Sequence, residues 1–223
     1  GAYWCDLLTQ NIPTDPGDFS SFTCFDREFS SGPCASQSPD VEDWTLLQQL
    51  ASQIASVPQG PGWYDAMSAF FDVDEFISMW SVDSMLSHWD AYSFHIINNY
   101  RIYHDPEDDR WRIMPWGIDQ TWEGGGDVDP FSSDTVLVNG CLSDPACAAK
   151  FANRLHEIVD LFEQLDFVSE ASAIHDQIQA DVYADPRKEI DDDAWENEYA
   201  SLQAWIAQRP AQVRQHLADH GFP

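Results

Sequence analysis

Apolar residues recur at helical spacing from about residue 43, where Trp44, Leu46, Leu47, Leu50 and Ile54 fall on one face. A second helix is announced at Asp72, whose short acidic side chain makes a capping-box-like pair with Glu75. Phe76, Met79, Trp80, Met85 and Leu86 carry its apolar face to about Trp89. The period then changes. Residues 97–104 and 110–116 are rich in Ile, Tyr and Trp, and Asp105-Pro106-Glu107-Asp108-Asp109 between them is turn chemistry, so the two runs predict a β-hairpin. Gly124-Gly125-Gly126 then starts a loop expected to reach about residue 142. Asp144 before Pro145 is an N-cap with proline at the first helical position, opening a helix to about Leu161. Further helices are predicted over 167–180 and 193–220, the last broken or restarted at Pro210.

Helices, one hairpin, then helices define an α+β class that is mostly α. Residues 1–42, with Pro13, Pro16, Gly17 and Ser30-Ser31-Gly32-Pro33, form an irregular, loop-rich part of the same domain, and 43–223 form its body. No apolar run approaches the roughly 20 residues that span a bilayer, so no membrane span is expected in this chain. The sequence opens on Gly1 with no charged-then-apolar leader, so a targeting segment is expected upstream or removed.

Charge narrows the partners. Ten basic residues against 39 acidic ones leave a net charge of −29, which repels nucleic acid and anionic lipid. A nucleotide triphosphate would bind here only with divalent cations neutralising both sides. Of five cysteines, Cys141 and Cys147 bracket a short turn that a disulfide would staple. Cys24 and Cys34 make a second local pair, Cys5 is left over, and two bridges imply an oxidising compartment; five reduced, buried thiols are the alternative.

The chemistry concentrates between Ser87 and Glu123. With the hairpin turn centred near 107, facing residues sum to about 214, placing Asn98 opposite Trp116 and Asn99 opposite Pro115. Asp119 then lies roughly 10 Å past Trp116 at about 3.3 Å per residue, and Asp90 sits where the preceding helix hands over to the same open end. Carboxylate, carboxamide, second carboxylate is the order used in kinase-type phosphoryl transfer. There the first Asp orients or deprotonates the acceptor hydroxyl, while the Asn and the second Asp hold Mg²⁺ on the phosphates. On spacing alone, Asp and Asn at helix ends and strand starts are more often caps and turn formers.

The same stretch resembles the signature of the CotH kinase family: an Asp after a hydrophobic helix, an Asn-Asn-Tyr strand, and a strand ending Pro-Trp-Asp-x-Asp. Here these parts are Asp90, then Asn98-Asn99-Tyr100-Arg101-Ile102-Tyr103, and Pro115-Trp116-Gly117-Ile118-Asp119. Asp72-Val73-Asp74-Glu75-Phe76 resembles the family segment opening the preceding helix, and Ile206, Arg209, Val213 and Leu217 resemble its closing helix. The resemblance covers about 43–220. It implies an atypical protein-kinase-like fold that transfers phosphate from ATP, with Mg²⁺ or Mn²⁺, to Ser or Thr of extracytoplasmic, surface or coat proteins. Asp90 would be the catalytic carboxylate and Asp119 the metal ligand, assisted by Asn98 or Asn99.

The chain departs from the pattern in two ways. Gly117 stands where the family often has an Asp. Neither Lys150 nor Lys188 sits in a strand followed by an acidic helix, so the nucleotide-binding lobe is expected upstream of Gly1, with this part alone inactive. These departures keep open a non-catalytic, adhesin-like binding protein on the same scaffold. Asp127, Asp129 and Asp134, and Asp105 to Asp109, are expected to be solvated acidic loops rather than Ca²⁺ sites. His88, two residues before Asp90, is read as a packing or hydrogen-bonding residue.

Overall fold

The computed structural model describes residues 2–5, 12, 14–16, 25–27, 45–119, 121–122 and 127–223. The Cys24–Cys34 pair, the Gly124–126 loop and Trp44 lie outside them. Two short strands, β1 (Ala2–Cys5) and β2 (Phe25–Arg27), lie in the segment whose sequence predicted only loop. Helices α1 (Thr45–Ala55), α2 (Trp63–Ser68) and α3 (Val73–Leu86) follow, then the hairpin β3 (Tyr100–Asp105) and β4 (Arg110–Pro115). The chain closes with α4 (Val136–Ser143), α5 (Pro145–Gln164), α6 (Phe167–Ala184) and α7 (Asp192–Asp219). The strands form one antiparallel sheet in the order β2-β1-β3-β4. The class is therefore α+β and mostly helical.

The core is built around α3. Its apolar residues are not confined to one stripe, and most of the helix is buried, from Val73 and Phe76 to Met85. Asp72 caps it by accepting the Glu75 amide at 3.1 Å. Trp80 stacks flat on Phe151 of α5 and donates its ring N–H to the Pro130 carbonyl at 3.1 Å. The start of β4 is pinned to the segment leading into α3 by two backbone bonds, Trp111 N–H to the Phe70 carbonyl and Asp72 N–H to the Trp111 carbonyl.

Three expectations are corrected. Residues assigned to a long loop include α4, whose Gly140 lies so tightly against the buried Trp63 ring that a Cβ there would fall 2.2 Å from it. The hairpin pairs Tyr100 with Pro115 and Asp105 with Arg110, so partners sum to 215. The even four-residue turn 106–109, with Asp109 at φ 59°, shifts the register by one. Third, α7 runs unbroken through the buried Pro210, because Ile206, Arg209, Val213 and Leu217 are all buried at helical spacing.

Cys141 and Cys147 form the expected disulfide, with Cα atoms 5.0 Å apart. Inside this staple, buried Asp144 accepts from Ala146 N–H at 3.0 Å as the cap of α5, and from Tyr64 and Gly62 N–H at 3.0 and 3.2 Å. Those amides, Tyr64 foremost, outweigh burial and hold its carboxyl below the ordinary carboxylate range. A depressed carboxylate stabilises the fold above its unfolded value of about 3.9, and that contribution disappears as pH falls through the folded value. Asp144→Ala should therefore lower stability at pH 7 by about 1–2 kcal/mol in urea denaturation, with the gap to the parent narrowing below about pH 4.

Candidate functional site

The site starts where α3 stops. A buried helix end leaves carbonyls that must find donors, and here each finds one. Ser87, in the left-handed region at φ 53°, and His88 turn back their amides, His88 N–H reaching the Asp83 carbonyl at 2.9 Å. Arg209 of α7, fully buried, donates Nη2–H to the Ser84 carbonyl at 2.6 Å and Nε–H to the Met85 carbonyl at 3.2 Å. Trp122 N–H takes the Leu86 carbonyl at 3.1 Å. Asp127 accepts from Arg209 Nη1 at 2.7 Å, which supports a guanidinium that burial pushes down.

From this anchored turn the chain runs inward, so Ser87, His88, Asp90, Tyr92, Ser93 and Phe94 are all buried. Asp90 is 7% exposed. Its Oδ2 accepts from Asn99 Nδ2 at 2.6 Å, and its Oδ1 lies 3.2 Å from His88 Nε2. The other ring nitrogen of His88, Nδ1, lies 3.2 Å from Asp83 Oδ1, and Ser93 Oγ donates to Asp83 Oδ2 at 3.0 Å. His88 is therefore buried and hydrogen-bonded, as its sequence context suggested. Asp83 and Ser93 escaped sequence reading; the available signal was a carboxylate five residues before a histidine, on a helix that is mostly buried.

The hairpin supplies the facing wall. Asn99 adopts φ 52°, a conformation asparagine tolerates better than most residues, and its carbonyl accepts from Trp116 N–H at 2.9 Å. Asn99 thus faces Trp116, not Pro115, and its amide is the one turned to Asp90. Asn98 beside it is half-buried. Gly117 takes φ 56°, and a Cβ there would stand 2.4 Å from Asn99 Oδ1. Residue 117 carries no side chain, and Asn99 occupies that space. Asp119 is exposed, and its charge reaches Asp90.

Electrostatics follow from burial. Asp90 is pushed above the ordinary carboxylate range, chiefly by burial and with help from Asp119, against the lowering effects of His88, its own backbone and Asn99. Burial drags His88 down, but the Asp83 hydrogen bond, the Asp83 and Asp90 charges and the Gly117 backbone together raise it.

Elsewhere the acidic loops are paired with histidine and arginine side chains. Asp127 and Asp129 meet His216, Asp129 meets His220, and Asp134 meets His95; Asp105 and Asp108 meet Arg112. Among the described residues no three His, Cys, Asp or Glu side chains converge into a metal cage. The oxygens of Asp119 and the Asn98–Asn99 carboxamides are hard donors too few for a cage. Oxygens of this type are what Mg²⁺ takes, one or two from protein beside water and phosphate oxygens.

A hydrophobic helix ending in an anchored turn, a buried Asp and an amide-bearing hairpin make up the site. Over residues 31–213 the chain matches the family described as CotH kinase protein, and it belongs to that family. It is also 21% identical over 187 residues to the inner spore coat protein H of Bacillus subtilis (strain 168), an alignment covering 79% of this chain and 50% of that protein. The chain thus spans about half the length of the curated relative it matches.

Gly117→Ala should cost about 1–2 kcal/mol for a left-handed non-glycine residue alone, and more from its clash with Asn99. In an Asn99→Ala background the same change should cost less, read by urea denaturation as a double-mutant cycle.

Proposed function

We propose that this chain is the catalytic-loop part of an atypical protein kinase, transferring the γ-phosphoryl group of ATP to Ser or Thr hydroxyls of extracytoplasmic, surface or spore-coat proteins. The observation that carries this reading is Asp90, buried and held by Asn99 at the same hairpin end as Asp119. Family membership and the likeness to a spore coat protein support the kinase-like fold and the surface location. The disulfide agrees with an oxidising compartment.

Asp90 would accept the proton of the acceptor hydroxyl as its oxygen bonds to phosphorus and the bond to the ADP oxygen breaks. Asp119, with the carboxamide of Asn98 or Asn99, would hold Mg²⁺ or Mn²⁺, which supplies charge neutralisation to the phosphates. In a chain of charge −29 that neutralisation is a precondition for binding ATP.

A second reading rests on Gly117, which removes one carboxylate from the family pattern: a scaffold that binds surface partners without catalysis. Full-length protein incubated with radiolabelled ATP and Mg²⁺ or Mn²⁺ separates the two. Label should appear on the protein itself, and Asp90→Ala and Asp119→Asn should each reduce it by about 10²–10⁴-fold. Unlabelled parent protein with no metal-dependent ATP binding would leave the binding scaffold.

A further inference from the structure

Asp83 and His88 have no part in the chemistry just described, yet they are among the most thoroughly buried ionisable side chains, at 4% and 1% exposure. Buried charges are costly unless paired, so an unexplained row of them calls for a purpose. Both ring nitrogens of His88 face carboxylate oxygens at 3.2 Å, Asp83 on one side and Asp90 on the other. A neutral imidazole has one donor and one acceptor nitrogen. With a single ring proton, one nitrogen would point a lone pair at a buried carboxylate. Two ring protons remove that conflict, and the Gly117 backbone beside the ring also favours the protonated form.

We infer that Asp83 and His88 are positioning residues for Asp90: Asp83 orients an imidazolium at His88, whose Nε2–H faces the Asp90 carboxylate from inside the protein. Neutral donors complete the row, Ser93 on the far oxygen of Asp83 and Asn99 on the far oxygen of Asp90. The contact between His88 Nε2 and Asp90 Oδ1 is close but off-line, and neither buried atom makes a hydrogen bond. The imidazolium therefore steers Asp90 by charge rather than through an aligned bond. Asp83 has no route to the acceptor except through His88. This inference rests on the phosphoryl-transfer role given to Asp90, but the state of the ring is measurable without it.

The test uses full-length protein. Imidazole ¹⁵N spectra, assigned by their loss in His88→Gln, should show both His88 nitrogens protonated at pH 7, and Asp83→Asn should remove one of those protons. A wild-type ring with a bare nitrogen overturns the inference, whether or not the protein transfers phosphate. In the transfer assay, Asp83→Asn should lower kcat by about 10–100-fold, as for outer partners that orient a reacting group, with KM for ATP within about threefold. Ser93→Ala, a milder change if Asp83→Asn does not fold, should lower kcat by a smaller factor in the same pattern. An unchanged kcat, or a loss carried by KM, overturns the positioning role. Absence of transfer in the parent protein, with the ring doubly protonated, would sink the kinase reading and leave the buried imidazolium standing.

Discussion

The structure turns on Arg209. Its guanidinium crosses from α7 to the carbonyls of Ser84 and Met85 at the end of α3, with Asp127 as its counter-ion. The C-terminal end of a helix carries partial negative charge, so a cation there is favourable, and burial strengthens the attraction while raising the cost of losing it. Ser87, His88 and Trp122 supply the remaining donors. Because the helix end is fully satisfied, the turn after it holds one conformation, and that turn delivers His88 and Asp90 into the interior. Folding and chemistry share this joint: a helix that closes the fold also fixes the end from which the candidate catalytic residue emerges.

Much of this was legible in the sequence. The Asp72 cap, the Asp144-Pro145 helix start, the hairpin and the short disulfide loop all follow from local chemistry and appear where expected. The failures share a cause. Pro210 reads locally as a break, but tertiary burial of Ile206, Arg209 and Val213 carries α7 through it. α4 is short, and its Gly140 suits a close approach to Trp63 that no neighbouring residue reveals. The one-residue register shift comes from a four-residue turn that acidic composition does not count. At the site, Asp90 and the asparagines stood out because polar groups cluster there, whereas Asp83 looked like any other residue of a mostly buried helix.

The acidity also takes a different meaning in three dimensions. Several aspartates of the 127–134 region act as partners for Arg209, His216, His220 and His95, tying that loop to α7 and to the segment after Asp90. Others hold Arg112 across the hairpin turn. The exposed pairs among these contribute little individually, about 0–1 kcal/mol, and Asp119 stays exposed with its charge felt at Asp90. Gly117 determines how the space around the Asn99 side chain is used. Without a side chain at 117, Asn99 moves in against Asp90, and the site keeps an amide where the family often has a carboxylate.

The most direct test of a shared metal and phosphoryl site is paramagnetic. Mn²⁺ titrated with ATP into ¹⁵N-labelled full-length protein should selectively broaden the side-chain amides of Asn98 and Asn99 and the backbone amide of Asp119, and Asp119→Asn should abolish the effect. Broadening confined to the 127–134 loop, or none at the hairpin's open end, would contradict a metal held between Asp119 and the asparagines.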